Sequence, residues 1–189
     1  MKEILKSIKI YIILTVLLGL IYPLVITGIA QITMPYQANG SLIKNDNLIL
    51  GSKLIGQSFT DPKYFYSRPS AVDYNAAGSG ASNLAPSSKK LMTQVMGRIK
   101  QVRTENNLKQ DQKIPPDMVL TSASGLDPHI SLENALIQAD RVAKVRGISK
   151  DIVKKLINKN TDPDFIGIWG KSGINALKLN LALDKLQRK

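Results

Sequence analysis

The sequence predicts a single N-terminal transmembrane helix followed by one mixed α+β extracytoplasmic domain. Two observations carry that expectation. Residues 10–32, IYIILTVLLGLIYPLVITGIAQI, hold no ionisable group apart from Tyr11 and Tyr22. An uncharged apolar run above about 18 residues has the length and composition of a membrane span. Residues 33–189 never repeat that run and instead mix short β-type segments with helical periodicities. The expected boundaries are a cytoplasmic N-terminus at 1–9, the transmembrane helix at 10–32 and the extracytoplasmic domain at 33–189.

At about 1.5 Å per residue the span covers roughly 34 Å, enough for the hydrocarbon core with some tilt. Lys2, Lys6 and Lys9 precede it, against Glu3, while the twenty residues after it hold only Lys44 and Asp46. The positive-inside rule therefore puts the N-terminus in the cytoplasm and the domain outside. A cleaved signal peptide is the alternative, with Gly28 and Ala30 in a cleavage-like arrangement before Gln31; its apolar region would be about 7–15 residues, shorter than this one. Within the span, Thr15, Gly19, Pro23 and Thr27 recur every fourth residue and share one face. Such a face permits close approach of a second membrane helix, although Gly, Thr and Pro are common in membrane helices generally. Pro23 removes the usual donor to the Gly19 carbonyl, which predicts a local kink.

The 189 residues carry a net charge of +12, 43% apolar residues and no cysteine. The part beyond the span has the size of one ordinary domain. Lack of cysteine excludes disulfides, thiolate metal sites and a cysteine nucleophile, and the single histidine, His129, excludes a histidine-rich zinc site. Beyond the leader there remain 23 basic and 13 acidic residues. They are spread along the chain without a nucleic-acid motif, so a solvated basic surface is expected and no nucleic-acid partner.

Along the domain, residues 33–40 read as a polar exit with Tyr36 at headgroup level. Two apolar β-type runs flank Asn45-Asp46-Asn47, a hairpin pattern. Residues 57–88 are rich in Gly, Ser, Ala and Asn, yet Phe59, Tyr64, Phe65, Tyr66 and Tyr74 supply five of the chain's nine Phe and Tyr residues. That aromatic density predicts an ordered, compact loop rather than a linker. A helix should follow a Ser87 or Ser88 cap, burying Leu91, Met92, Val95, Met96, Ile99 and Val102 and fading by Asn106-Asn107. Residues 117–122 read as a short strand. A second helix is expected after Ser131, with Leu132, Ala135, Leu136, Ala139, Val142 and Ala143 buried and Gly147 as its stop. A third runs from Ser149 to about Asn158, Asp162-Pro163-Asp164 turns the chain, and a strand over 174–179 passes into a terminal helix.

Most familiar chemistry is missing. Gly167–Ser172, GIWGKS, ends like a phosphate-binding loop but has Phe165 where its first glycine belongs. AGSGASN at 77–83 has Asn83 in place of the third glycine of a dinucleotide fingerprint. There is no G-x-S-x-G elbow, and His129, in Asp127-Pro128-His129, reads as a structural residue bonded to loop backbone rather than a catalytic base. A D-K-T-G phosphorylation motif is lacking too.

Several loops together do carry a resemblance: GSKLIGQSF at 51–59, YFYSRPSA at 64–71, YNAA at 74–77, SGASNL at 79–84, SASGLDPHIS at 122–131, RVA at 141–143 and Arg146-Gly147. In this order and spacing they resemble the C subunit of the bacterial Kdp potassium-transporting P-type ATPase, from the anchor to the last helix. Ala81 and Ala85 stand where that family has glycine, and Ala176 and Lys178 depart from its VNVLELN near the end.

The resemblance implies retention of the anchor and a single-pass subunit of the bacterial plasma membrane. The expected role is accessory and non-catalytic, supporting assembly, stability and function of a potassium-translocating and an ATP-hydrolysing subunit. The loops holding Arg68, Tyr74, Asn75, Ser79, Asn83, Asp127, His129 and Arg141 would shape the outer domain or meet a partner; local backbone bonding is an equally good account of them. Contacts with membrane lipid are expected, and neither metal nor firmly bound cofactor. A chaperone role in ATP binding has been proposed for the family, but ATP is cytoplasmic and the domain is placed outside, so nucleotide would be reached only through the complex. A membrane-anchored or secreted hydrolase using serine and His129, or a secreted binding module, is the alternative from another class.

Overall fold

The structure, a computed structural model, describes residues 1–45, 48–163, 170 and 172–187. The centre of the expected hairpin, Asp46-Asn47, the last residue of the expected turn, Asp164, and residues 167–169 and 171 of GIWGKS lie outside the described residues. The chain divides into two compact units, 1–50 and 51–189.

In the first unit, helix α1 (Lys2–Val16) runs through a π turn (Leu17–Ile21) into α2 (Tyr22–Thr33). The disturbance expected at Pro23 appears one turn earlier. Tyr22 donates to the Leu17 carbonyl, five residues back, so the ladder widens just before the residue that has no N–H to donate. No residue of α1 or α2 is buried. The polar exit forms one helical turn, α3 (Pro35–Ala38), because Pro35 supplies a preset φ at its start. Strands β1 (Leu42–Asn45) and β2 (Leu48–Ser52) then pair as the two-stranded sheet that the sequence predicts.

The second unit is built on helices α4 (Lys89–Asn106), α5 (Leu132–Arg146), α6 (Lys150–Lys159) and α7 (Ala176–Gln187). Three begin on a serine whose hydroxyl accepts from the backbone N–H three residues on: Ser88 from Leu91, Ser131 from Asn134 and Ser149 from Ile152. Each satisfies a donor that the first helical turn leaves open. α4 ends on Asn107 and α5 on Gly147, both left-handed, the usual stop for a helix C-terminus.

Strand β5 (Gly173–Asn175) sits between β3 (His129–Ile130) and β4 (Thr161–Asp162), antiparallel to both. Ile174 pairs with Ile130 on one side and Thr161 on the other. Phe65, Ile130, Ala135, Ala139, Val142, Val153, Ile157, Ile174, Leu179 and Leu183 form the main core among α5, α6, α7 and the sheet. Val102, Met118 and Val119 form a second cluster, with Val95, Ile99 and Ile137 packed on it.

Four expectations are corrected. The predicted strand at 117–122 opens in a 3-10 turn, Pro116–Met118, because the N–H groups of Met118, Val119 and Leu120 fold back onto the carbonyls of Pro115 and Pro116, while the Asp117 carboxylate accepts from Ser131, the cap of α5. The strand expected over 174–179 stops at Asn175, whose side chain accepts from the Lys178 N–H and starts α7. Met92 and Met96 lie on the outer face of α4 and are exposed. Leu136 is exposed as well, since α5 buries Asn134, Gln138 and Arg141 where periodicity alone favours an apolar residue.

Candidate functional site

Residues 53–88 contain no helix or strand, yet the segment is ordered by two sets of side chains, one inside and one at the surface.

The inner set comes from α5 and α7. Asn180 accepts from the Phe65 N–H at 2.8 Å and donates to the Phe65 carbonyl at 2.9 Å. Gln138 does the same for Tyr66, accepting its N–H at 2.7 Å and donating to its carbonyl at 3.2 Å. Side-chain amides thus replace the neighbouring strand that the loop lacks, which lets Phe65 be fully buried (0% exposed) without stranding its peptide groups.

Arg141 is part of this arrangement. Its guanidinium donates to the carbonyls of Pro62 and Tyr64, to Asn106 Oδ1 and to Gln138 Oε1, and lies 4.0 Å from the centre of the Tyr66 ring. Arg146, its side chain 1% exposed, donates to the Lys63 carbonyl at 2.7 Å and pairs with Asp184 at 2.8 Å; the Tyr64 hydroxyl donates to the same carboxylate. Asp117 closes the network from below, accepting from the Ser131 N–H, the Ser131 hydroxyl and Asn134 Nδ2, while Asn134 Oδ1 accepts from Gln138.

The surface set gathers most of the residues singled out in the sequence. Arg68 pairs with Asp127 at 2.8 Å, and Asp127 also accepts from the His129 N–H at 2.9 Å. The Tyr74 hydroxyl donates to the Arg68 carbonyl at 2.6 Å. Tyr74 adopts a left-handed φ of 57°, uncommon for a bulky residue, and is held there by Ser70, whose hydroxyl accepts from the Val72 and Tyr74 N–H groups. Asn75 accepts from the Ala77 N–H within its own turn, and Ser79 donates to the Ser124 carbonyl. The backbone stitches these loops together through Gly56 to Leu126 and Gly80 to Ser124. Asn83 stands apart, exposed and left-handed, and Arg141 belongs to the inner set.

His129 faces carboxylates rather than the loop backbone expected for it: Nδ1 is 3.5 Å from Asp127 and Nε2 is 3.9 Å from Asp162. The ring packs beside Gly173 on β5, the strand between β3 and β4. Burial pushes the Asp127 carboxyl up, but the His129 donors and the Arg68 guanidinium outweigh it and hold the group below its ordinary value. A groove of about 340 Å³ is lined by Arg68, Asp117, Asp127, His129 and Glu133, so both signs of charge face it. Among the described residues no group of three or more His, Asp or Glu side chains could hold a metal ion. Both imidazole nitrogens face carboxylates, and among the described residues His129 is hydrogen-bonded to no serine hydroxyl.

Thr15, Gly19, Pro23 and Thr27 all lie on the continuous α1–α2 helix, with the π turn between the first and the last. Residues 2–33 have the length and composition to cross a membrane.

The chain is thus of the class that joins one long N-terminal helix, apolar enough to cross a membrane, to a mixed α/β domain whose loop layer is bonded into its own scaffold. A family model described as "KdpC: K+-transporting ATPase, c chain" matches residues 4–185. The potassium-transporting ATPase KdpC subunit of Caldanaerobacter subterraneus subsp. tengcongensis is 49% identical over 182 residues, 96% of this chain and 94% of its own. That of Rhodopseudomonas palustris is 46% identical over 203 residues, spanning both chains entirely, and that of Mycobacterium tuberculosis H37Rv is 45% identical over 187 residues, 98% and 99% of the two chains. The chain belongs to the KdpC family, the accessory subunit of the Kdp potassium-transporting ATPase.

Proposed function

We propose that this chain is a single-pass, non-catalytic subunit whose N-terminal helix crosses the bacterial plasma membrane and whose α/β domain lies outside. There it supports the assembly and stability of the potassium-translocating and ATP-hydrolysing subunits. One observation carries the reading: the 32 residues from Lys2 to Thr33 form one continuous helix, uncharged from Ile10 onward and with no buried residue. In water that surface would be costly, and in lipid it is matched. Lys2, Lys6 and Lys9 mark the cytoplasmic end. The face bearing Thr15, Gly19, Pro23 and Thr27 packs on a helix of the potassium-translocating subunit, and the loops around Arg68, Tyr74, Asn83, Asp127 and His129 meet that subunit's outer surface. ATP is bound by the hydrolysing subunit on the opposite side and reaches this chain only through the assembled complex.

The cysteine-free sequence permits a direct test by single-cysteine labelling. In intact cells a membrane-impermeant maleimide should modify Val145→Cys, an exposed position on α5, and leave Ser7→Cys untouched. The reverse pattern overturns the topology, and a mature mass lacking residues 1–30 overturns the anchor.

A further inference from the structure

We infer that the outer face of α4 is a contact surface for anionic phospholipid, holding the domain down on the membrane from which it hangs. The inference rests on the topology proposed above. α4 turns Val95, Ile99 and Val102 toward the second core cluster. On its other side Lys89, Met92, Met96, Lys100 and Arg103 follow one another at spacings of three and four residues, so they form one stripe. Met92 is 55% and Met96 66% exposed, two unbranched, adaptable apolar side chains one turn apart. Gly97 beside them has open space where a side chain would stand.

The charge of the helix is almost all of one sign. Lys89, Lys90, Arg98, Lys100 and Arg103 face a single acid, Glu105, which accepts from the Gln101 amide. Among the described residues, none of the five cations forms an ion pair with a carboxylate. Arg98 donates to the Val119 carbonyl, and Arg103 to those of Lys109 and Gln112. Next to Met96 opens a pocket of about 370 Å³ lined by Met96, Ile99, Lys100, Arg103, Thr104 and Gln110. An apolar floor under a cationic rim matches the phosphate and upper acyl segment of an anionic lipid, whereas a free anion would leave the methionines uncovered. The tether supplies proximity. From Thr33, where α2 ends, to the start of the second unit at Gly51 the chain can stretch at most about 65 Å, so the domain is confined near the bilayer.

The full chain, carrying Gly97→Cys with an environment-sensitive fluorophore and reconstituted in lipid nanodiscs, tests this. In phosphatidylglycerol discs the probe should be shielded from an aqueous quencher; in purely phosphatidylcholine discs it should be open. Lys89→Gln or Lys100→Gln should each weaken docking about fivefold, and Met96→Asp should abolish it. Equal quenching in both lipids overturns the inference. So does shielding seen only when the other pump subunits are present, which would make the face a protein interface. Both leaflets of a nanodisc have the same composition, so this result stands independently of the cysteine-labelling test of topology.

Discussion

Asn180, from α7, binds both peptide groups of Phe65, 115 positions earlier, accepting at 2.8 Å and donating at 2.9 Å. The pair ties the strandless loop to the terminal helix across the main core. Asn180→Ala leaves a buried donor and a buried acceptor without partners, at about 1–3 kcal/mol each. The expected loss is therefore about 3 kcal/mol in denaturant unfolding. Asn180→Asp, which keeps the acceptor and loses the donor, should also destabilise the domain.

Arg141 binds two loop carbonyls and two side-chain amides at once. A lysine has one nitrogen and cannot reach four acceptors in a plane. Arg141→Lys should thus cost nearly as much as Arg141→Met, about 2–4 kcal/mol for either. Limited proteolysis should cut near residues 60–66 in both variants and not in the parent chain.

The inner set was only partly legible in the sequence. Aromatic density in a Gly- and Ser-rich stretch shows that residues 57–88 must be ordered, and Arg141 stands within a recognisable motif. Asn134, Gln138 and Asn180 are buried at helical positions where an apolar residue would ordinarily close the core, and their polarity gives no sign of that burial. Their signal was the mismatch itself: a long loop with buried aromatics needs amide partners for its peptide groups, and polar residues on the inner faces of α5 and α7 supply them. The cap at Ser131, the choice between Ser87 and Ser88 and the helix start at Ser149 were readable because that chemistry is local. The sheet β3-β5-β4 was not, because strands of two and three residues leave no periodicity to detect.

Asp127 gives the surface set a defined pH dependence. Its carboxyl is held below the ordinary 3.8 in the folded chain. The stabilisation is present above about pH 4 and is lost as the pH falls through the folded value. Urea midpoints measured from pH 6 to pH 2.5 should fall on the acid side, and Asp127→Asn should flatten that limb. Arg68→Met should weaken it as well, through loss of the partner cation.

Gly125 and Gly147 are both left-handed, with φ of 70° and 65°. A Cβ at Gly125 would stand 2.7 Å from the Gly80 carbonyl oxygen and from Val72 Cγ2, whereas one at Gly147 meets open space. Gly147→Ala should cost about 1 kcal/mol for the backbone alone. Gly125→Ala should cost about 3 kcal/mol, because the loops carrying Ser79 and Ser124 must also move apart. Thermal unfolding of the two variants side by side reads the difference.

The helical anchor yields a comparison of faces. Gly19→Leu adds bulk to the stripe shared with Thr15, Pro23 and Thr27, and Leu14→Phe adds bulk on another side of the helix. Close packing on the stripe predicts that Gly19→Leu lowers recovery of partner subunits about fivefold, while Leu14→Phe leaves it unchanged. Equal losses would remove the stripe as the packing face.

Affinity purification of the tagged full chain after gentle detergent extraction tests most directly that it works as an accessory subunit. The potassium-translocating and ATP-hydrolysing subunits should be recovered with it in fixed proportion. Recovery of this chain alone, from membranes that contain both other subunits, would contradict the account.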